Sequence, residues 1–273
     1  MELKILGTVS PYCKGTKNCP GYLVTSDNTK LLLDCGNGSA RNLNLPADFE
    51  NLSILLSHLH KDHYGDLLSL GYASYIYKNL GYLDERIKVY LPEPDYYDAI
   101  EYGQDADGWG TSRTVSKKIS DYEYLENFGD EHFLEFETYN PNKPLTIGNL
   151  PLSFLKNPHP IKTYSTKIVE NDSSLVYTGD TGYQGNKLAT FAENADLLLC
   201  ESTYLQGQQR QTDNHLYARE AGQIAKQANV KQLVLTHFFP ELDSNLYVTE
   251  ASKYFENTEA AEEGKVYKIG GRK

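Results

Sequence analysis

The chain has 273 residues and a formal net charge of −11, with 40% hydrophobic and 23% charged residues. This is globular composition, and no run approaches the roughly 18 consecutive apolar residues that span a bilayer, which argues against disorder and against a membrane protein. Four cysteines are too few for a disulfide scaffold of this size, and Met1-Glu2-Leu3-Lys4-Ile5-Leu6 has no signal-peptide architecture, so a cytoplasmic protein is expected.

In chain order, strand pattern covers Leu3–Thr8, Gly21–Thr25, Lys30–Asp34 and the apolar run Leu52–Ser57. A helix is predicted over Asp66–Leu80, a strand over Arg86–Leu91 and a short helix over Pro94–Tyr102, while residues 103–130 give no clear pattern. Strand pattern resumes at His132–Thr138. Two hairpins follow: Leu145–Leu155 turns at Gly148-Asn149, and Thr163–Val169 with Ser174–Thr178 turns at Asn171-Asp172. Strand and helix then alternate: Asp196–Glu201, helix Leu216–Gln227, Gln232–Thr236, helix Val248–Phe255 and strand Lys265–Ile269. This order fits mixed sheets covered by helices on their outer faces better than a doubly wound parallel sheet. No linker divides the chain, so residues 1–273 are read as one domain.

Acidity is uneven. Residues 84–137 hold 15 acidic and 5 basic side chains, against 22 and 21 in the remaining 219 residues. The segment reads as an acidic insertion, and such a surface repels polyphosphate, so long nucleic acid is a disfavoured partner. It is also rich in aromatics, among them Tyr90, Tyr96, Tyr97, Tyr102, Trp109, Tyr122, Tyr124 and Phe128. Three uses stay open for these rings: passive packing, a homodimer interface, or a lid that stacks on a flat substrate group.

The chemistry is carried by histidine. His58, His60 and His63 fall within six residues at the end of the buried-looking Leu52–Ser57 strand, with Asp62 between them. Two histidines there would read as polar residues at a strand end. Four imidazole or carboxylate groups on one turn are costly to hold without a cation, and they are ligands that zinc, manganese and iron accept. His58 and His60 point the same way on an extended chain and Asp62 and His63 lie round the turn, so the cluster can face two metal ions. His159, Asp180 and His237 each follow a predicted strand, and as strand-end donors they are candidates to complete two shells.

Taken together, His58-x-His60-x-Asp62-His63, Thr178-Gly179-Asp180 and Leu235-Thr236-His237 resemble the metallo-β-lactamase superfamily of dinuclear hydrolases, and Asp34-Cys35-Gly36 resembles its early structural motif. The resemblance runs from about residue 3 to 237. It implies an α+β fold, a four-layer αββα sandwich of two mixed β-sheets flanked by helices, with the metals at one edge. Carried over by position, it implies that His58, His60 and His159 hold one metal, that Asp62, His63 and His237 hold the other, and that Asp180 bridges them. Two divalent ions are implied, zinc first, with manganese or iron acceptable to the same donors. They would lower the pKa of a bridging water toward ~7, and the resulting hydroxide would attack a carbonyl or phosphoryl centre.

His215, in Asp213-Asn214-His215-Leu216, and the flanking Cys200-Glu201-Ser202-Thr203 are similar to the ribonuclease Z-like phosphodiesterases. That branch implies a catalytic role for His215 at the leaving group, with Glu201 orienting it, and Asp62 is counted with these two as catalytic as well as a ligand. The chain departs from ribonuclease Z in reading His215-Leu216-Tyr217 instead of His-Ser-Thr, in lacking a Gly/Pro-rich arm, and in offering only Lys17-Asn18 at the tRNA-contacting loop. A small, nucleotide-like or other phosphodiester is therefore the expected substrate. The alternatives are a carboxylic-ester, lactone or β-lactam hydrolase on the same metals, or a metal-binding regulatory module with little turnover. Cys13 and Cys19 are too widely spaced for a C-x-x-C site and are read as ordinary thiols. His132 is assigned no role.

Overall fold

The computed structural model describes residues 1–93, 95, 97–104, 110–119, 121–210 and 213–270. The chain begins with β1 (Glu2–Gly7), β2 (Gly21–Ser26) and β3 (Thr29–Cys35), an antiparallel meander, and β4 (Leu52–Leu55) then pairs parallel to β3. After α1 (Lys61–Tyr64) and α2 (Leu67–Asn79), β5 (Ile87–Pro92) joins parallel to β4. Next, β6 (Tyr97–Gln104) and β7 (Gly110–Ile119) pair only with each other, and α3 (Asp121–Glu131) leads to β8 (Leu134–Tyr139), parallel to β5. The second half repeats the scheme. A meander of β9 (Leu145–Ile147), β10 (Leu150–Lys156), β11 (Tyr164–Glu170) and β12 (Ser173–Tyr177) is followed by α4 (Asn186–Phe191), β13 (Leu197–Glu201), α5 (Ala218–Gln227), β14 (Gln232–Thr236), α6 (Ser244–Ala251) and β15 (Thr258–Ala260). Finally β16 (Val266–Lys268) returns to pair with β1.

Two seven-stranded mixed sheets result, ordered β16-β1-β2-β3-β4-β5-β8 and β15-β14-β13-β12-β11-β10-β9. Side-chain alternation sorts each strand between two cores. Leu31 and Leu33 face the other sheet while Leu32 faces outward, and Leu197 and Leu199 face inward while Leu198 and Cys200 face outward. The shared inner core takes Leu3, Ile5, Tyr22, Leu152, Leu175 and Val234 from both sheets. The outer face of the first sheet packs on Leu67 and Leu70 of α2, and that of the second on Leu188, Ala221, Ile224, Tyr247 and Ala251 of α4, α5 and α6. The layers are thus helix, sheet, sheet and helix, the αββα sandwich that the family resemblance implies. The small residues of α5, Ala218, Ala221, Gly222 and Ala225, bring the helix backbones close; a Cβ on Gly222 would sit 2.5 Å from Ala251 O.

Three predicted elements shift. Pro94–Tyr102, expected as a helix, holds a strand from Tyr97, because pairing with β7 supplies the backbone partners that the local pattern left undetermined. The last helix runs Ser244–Ala251 and not Val248–Phe255, since Asp243 caps it by accepting from Asn245 N at 3.0 Å. The strand expected over His132–Thr138 begins at Leu134. Residues 84–137 are not wholly peripheral: β5 and part of β8 lie within the first sheet, and β6–β7 stand apart from it. Residues 94, 96 and 105–109 lie outside the described residues. Among the described residues, no helix is long and apolar enough to cross a membrane.

Candidate metal centre

In the second sheet β10 lies two antiparallel steps from β12, and β13 and β14 run parallel to β12, so β10, β12, β13 and β14 all point the same way. The same holds for β1, β3 and β4 in the first sheet. The C-terminal ends of these strands meet at one edge of the sandwich. They deliver Ser10 and Asp34, the His58–His63 turn, His159, Asp180, Glu201 and His237 to one place.

Two sets of donors converge there, and a third, Asp180, His215 and His237, overlaps them. His58, His60, His159 and Asp180 each present one ligand atom within 4.8 Å of the others, as do Asp62, His63 and His237. In the first set, His58 Nε2 and His159 Nε2 lie 3.0 and 3.1 Å from His60 Nδ1. A single imidazole nitrogen cannot accept from both. In the second, His63 Nε2 and His237 Nε2 face each other at 3.3 Å, and each lies within 3.8 Å of Asp62 Oδ2. Nitrogens about 2.0 Å from a tetrahedral zinc are spaced about 3.3 Å apart, so these separations suit a shared cation better than a network of protein hydrogen bonds.

Asp180 stands between the sets. Its Oδ2 is 3.6 Å from His58 Nε2 and 3.8 Å from His159 Nε2, whereas Oδ1 is 3.2 Å from His63 Nε2 and 2.9 Å from His237 Nε2. Oδ1 is buried and makes no hydrogen bond of acceptable angle. A buried, orphaned carboxylate oxygen is costly, and a cation would satisfy it. Gly179, at φ +57, lets the chain turn out of β12 to aim the side chain. Asn157 fixes that turn, donating from Nδ2 to Thr178 O at 2.7 Å and to Asp180 O at 2.9 Å.

An outer layer orients the imidazoles. Asp34, fully buried, accepts from Ser57 N (2.7 Å), Ser57 Oγ (2.8 Å) and Tyr177 OH (2.6 Å), and pairs with His63 Nδ1 (2.8 Å). Ser57 Oγ also reaches His58 Nδ1 at 2.9 Å. Thr203 Oγ1 lies 2.9 Å from His237 Nδ1, Asn214 O lies 3.2 Å from His159 Nδ1, and Ser10 Oγ donates to Asp62 Oδ2 at 2.8 Å. Partners of this kind fix which ring nitrogen faces a metal. Asp34 (φ +57) and His237 (φ +63) hold left-handed backbone that costs a non-glycine residue on the order of 1 kcal/mol, strain concentrated at the site.

At the rim, His215 Nδ1 is 3.0 Å from Glu201 Oε1. Glu201 is buried and also accepts from Thr181 N, Thr203 N, Thr203 Oγ1 and Leu216 N. Burial works against a charge on His215, but the Glu201 carboxylate and its hydrogen bond outweigh it and raise the imidazole to about 9. Three of the inner rings go the other way: burial lowers His58 and His60, and takes His159 down to about 4, whereas at His63 the Asp180, Asp62 and Asp34 carboxylates outweigh burial and raise the ring. Neutral imidazole is the ligand form. Asp180 stays ionised despite burial because His237, His63 and His58 surround it.

A family model described as "Beta-lactamase superfamily domain" matches residues 29–238. The chain belongs to that superfamily. The probable metallo-hydrolase YhfI of Bacillus subtilis is 30% identical over 238 residues, 87% of this chain and 86% of that one. Ribonuclease Z of Chlamydia abortus is 30% identical over 304 residues, 97% of this chain and 96% of the other. The crystal structure of the metallo-beta-lactamase fold protein YhfI from Bacillus subtilis superposes with a TM-score of 0.80 at 27% identity, covering 98% and 99% of the two chains. Human tRNase Z, short form, shares the fold at a TM-score of 0.69 and 19% identity, covering 99% and 100%. With the superfamily's metal-dependent hydrolases as relatives and a His/Asp cluster suited to cations, this chain is a metal-dependent hydrolase.

All the residues singled out in the sequence gather here: His58, His60, Asp62, His63, His159, Asp180 and His237 inside, His215 and Glu201 at the rim. His132 lies elsewhere, stacked on Phe128 at 4.0 Å. Asn157, Ser10, Thr203 and Tyr177 carry no role assigned from the sequence. Asn157 sits two residues before His159 and Thr203 two after Glu201, in the same motif, whereas Ser10 and Tyr177 have no site residue that close.

Proposed function

We propose that the protein is a dinuclear phosphodiesterase acting on a small, nucleotide-like or similar phosphodiester. His58, His60 and His159 would hold one divalent ion, Asp62, His63 and His237 the second, and Asp180 both. The observation that carries the dinuclear reading is the division of Asp180: each oxygen faces its own set of nitrogens, and buried Oδ1 lacks a hydrogen bond. Zinc is the first choice for a His/Asp donor set, with manganese or iron able to replace it. When bound, the ions supply Lewis acidity and an activated water.

The chain's own groups do the rest. Asp34, Ser57, Thr203 and Asn214 lock the imidazoles with their free nitrogens inward. His215, held as a cation by Glu201, stands 3.9 Å from Asp180 Oδ2 at the open side of the cluster, where it can attract an anionic ester and give a proton to the departing oxygen. That cation favours a phosphodiester over a neutral ester or lactam. Kinship to proteins named ribonuclease Z supports phosphodiester chemistry, while the acidic 84–137 segment favours a small substrate over long RNA.

Metal-loaded protein should cleave bis-p-nitrophenyl phosphate, and His215→Ala should keep its metal while losing most turnover. Hydrolysis of lactones or nitrocefin with none of phosphodiesters would overturn the phosphodiester assignment. Metal binding with no turnover on any ester would point instead to a regulatory module.

A further inference from the structure

Cys13 and Cys19 sit at the two ends of a small hairpin after β1, closed by reciprocal backbone bonds between Lys14 and Lys17 at 3.0 and 3.2 Å. Five residues separate them in sequence, yet the hairpin brings their sulfurs to 3.8 Å. Cys13 is exposed and Cys19 is buried; Cys35 and Cys200 are both buried in the outer-face cores. From this juxtaposition we infer that Cys13 and Cys19 form an oxidation-sensitive dithiol, which peroxide converts to a disulfide that perturbs the Asp62–His63–His237 side of the metal centre. Only the second half of this rests on the proposed metal assignment.

The chemistry balances without a cofactor. Exposed Cys13 is oxidised first, its thiol and one hydrogen peroxide giving a sulfenic acid and water. The Cys19 thiol then attacks that sulfur, the S–S bond forms, and its proton leaves with the displaced hydroxyl as a second water. Burial pushes the Cys19 thiol up and slows this second step, so Cys13 is the sensing thiol and Cys19 the resolving one.

The hairpin is wired to the site on both sides. At its start, Ser10 donates from Oγ to Asp62 and from its backbone N to Phe238 O, the residue after His237. Tyr12 and Lys14 reach Glu241, and Lys17 reaches Pro240 O, all on the loop that follows His237. At its end, Cys19 packs on Gly36, where an added Cβ would lie 2.9 Å from Cys19 Cβ and 1.9 Å from Asp62 O. There is no slack between Cys19 and the Asp62 backbone. Closing 3.8 Å to a disulfide length near 2.05 Å must therefore move the exposed Cys13 arm. That movement breaks the Cys13 Sγ bond to Asn37 O and pulls on Ser10, Tyr12 and Lys14.

The test compares metal-loaded wild type with Cys13→Ser, each reduced and then treated with hydrogen peroxide. Thiol titration and peptide mapping without reductant should show loss of two of the four thiols to a Cys13–Cys19 bridge in wild type only. Release of metal to a chromophoric chelator should then require about tenfold less chelator, the scale typical of losing an outer contact to a ligand, and dithiothreitol should reverse it. Cys13→Ser should behave as the reduced protein throughout. Cys13 oxidised to sulfinic acid with Cys19 still titrating free would overturn the dithiol, and a bridge with unchanged metal retention would overturn its link to the site. Reduced protein that binds no metal would instead refute the proposed metal centre and leave the mapping of the bridge as an independent result.

Discussion

Replacing Glu201 by glutamine removes one charge and leaves the shape of a buried side chain intact. The carboxylate accepts from four chain donors and holds His215 Nδ1 at 3.0 Å. A glutamine can keep its oxygen toward Thr203 and Leu216, but its NH2 then confronts the Thr181 N–H and the His215 ring. One buried N–H loses its acceptor, at a cost of about 1–3 kcal/mol. His215 also loses the partner that raises it from 6.5 to about 9. That shift corresponds to about 3 kcal/mol of preference for the imidazolium. Because the folded value is the raised one, this contribution to stability is fully present below pH 6.5 and is lost as pH rises through about 9. At pH 8 the protonated fraction of His215 should drop from about nine-tenths to a few hundredths, so turnover limited by an acidic His215 should fall about 30-fold. The assay is a pH–rate profile on a phosphodiester with a poor leaving group, in wild type and Glu201→Gln at equal metal loading. The alkaline limb should move to lower pH in the variant. Superimposable limbs would refute the role given to the Glu201–His215 pair.

Asp34→Asn should lower metal affinity about 10- to 100-fold, read by chelator competition, because its carboxylate orients His63 directly and His58 through Ser57; unchanged affinity would show that Asp34 acts in packing alone. Ser10→Ala should weaken only the ion held by Asp62, so titration should separate into one unchanged and one weakened site; equal weakening of both would contradict the division into two sets. His132→Ala removes a ring stacked on Phe128 and should cost about 1–3 kcal/mol in denaturant unfolding, with metal content and turnover unchanged. Chelator treatment should depress the melting temperature, since removing the cations leaves converging imidazoles and a buried carboxylate uncompensated; an unchanged melting curve would mean that the donors are satisfied without metal.

Much of this site is readable from sequence because the chemistry is concentrated at strand ends. His58, His60, Asp62 and His63 share one turn, and His159, Asp180 and His237 each follow an apolar run whose burial pattern is plain. The Leu31–Leu33 and Leu197–Cys200 alternations fix the faces of the sheets, and Gly148-Asn149 and Asn171-Asp172 mark hairpins by turn chemistry. What escaped depends on contacts distant in sequence. Tyr177 reaches Asp34 across 143 residues and Ser10 reaches Asp62 across 52, with nothing local to mark either. The segment from Tyr97 reads locally as part of a short helix, and pairing with β7 makes it a strand instead. The approach of Cys13 to Cys19 depends on the Lys14–Lys17 hairpin, which a spacing rule for cysteines does not see.

Asp180 is proposed to join two cations. Anomalous diffraction from crystals of the metal-loaded protein, paired with metal analysis in solution, tests it most directly. Two ions per chain are expected, one beside each oxygen of Asp180, with at least one lost in Asp180→Asn. A single ion in one donor set, or two ions retained in Asp180→Asn with unchanged affinity, would contradict the bridging role.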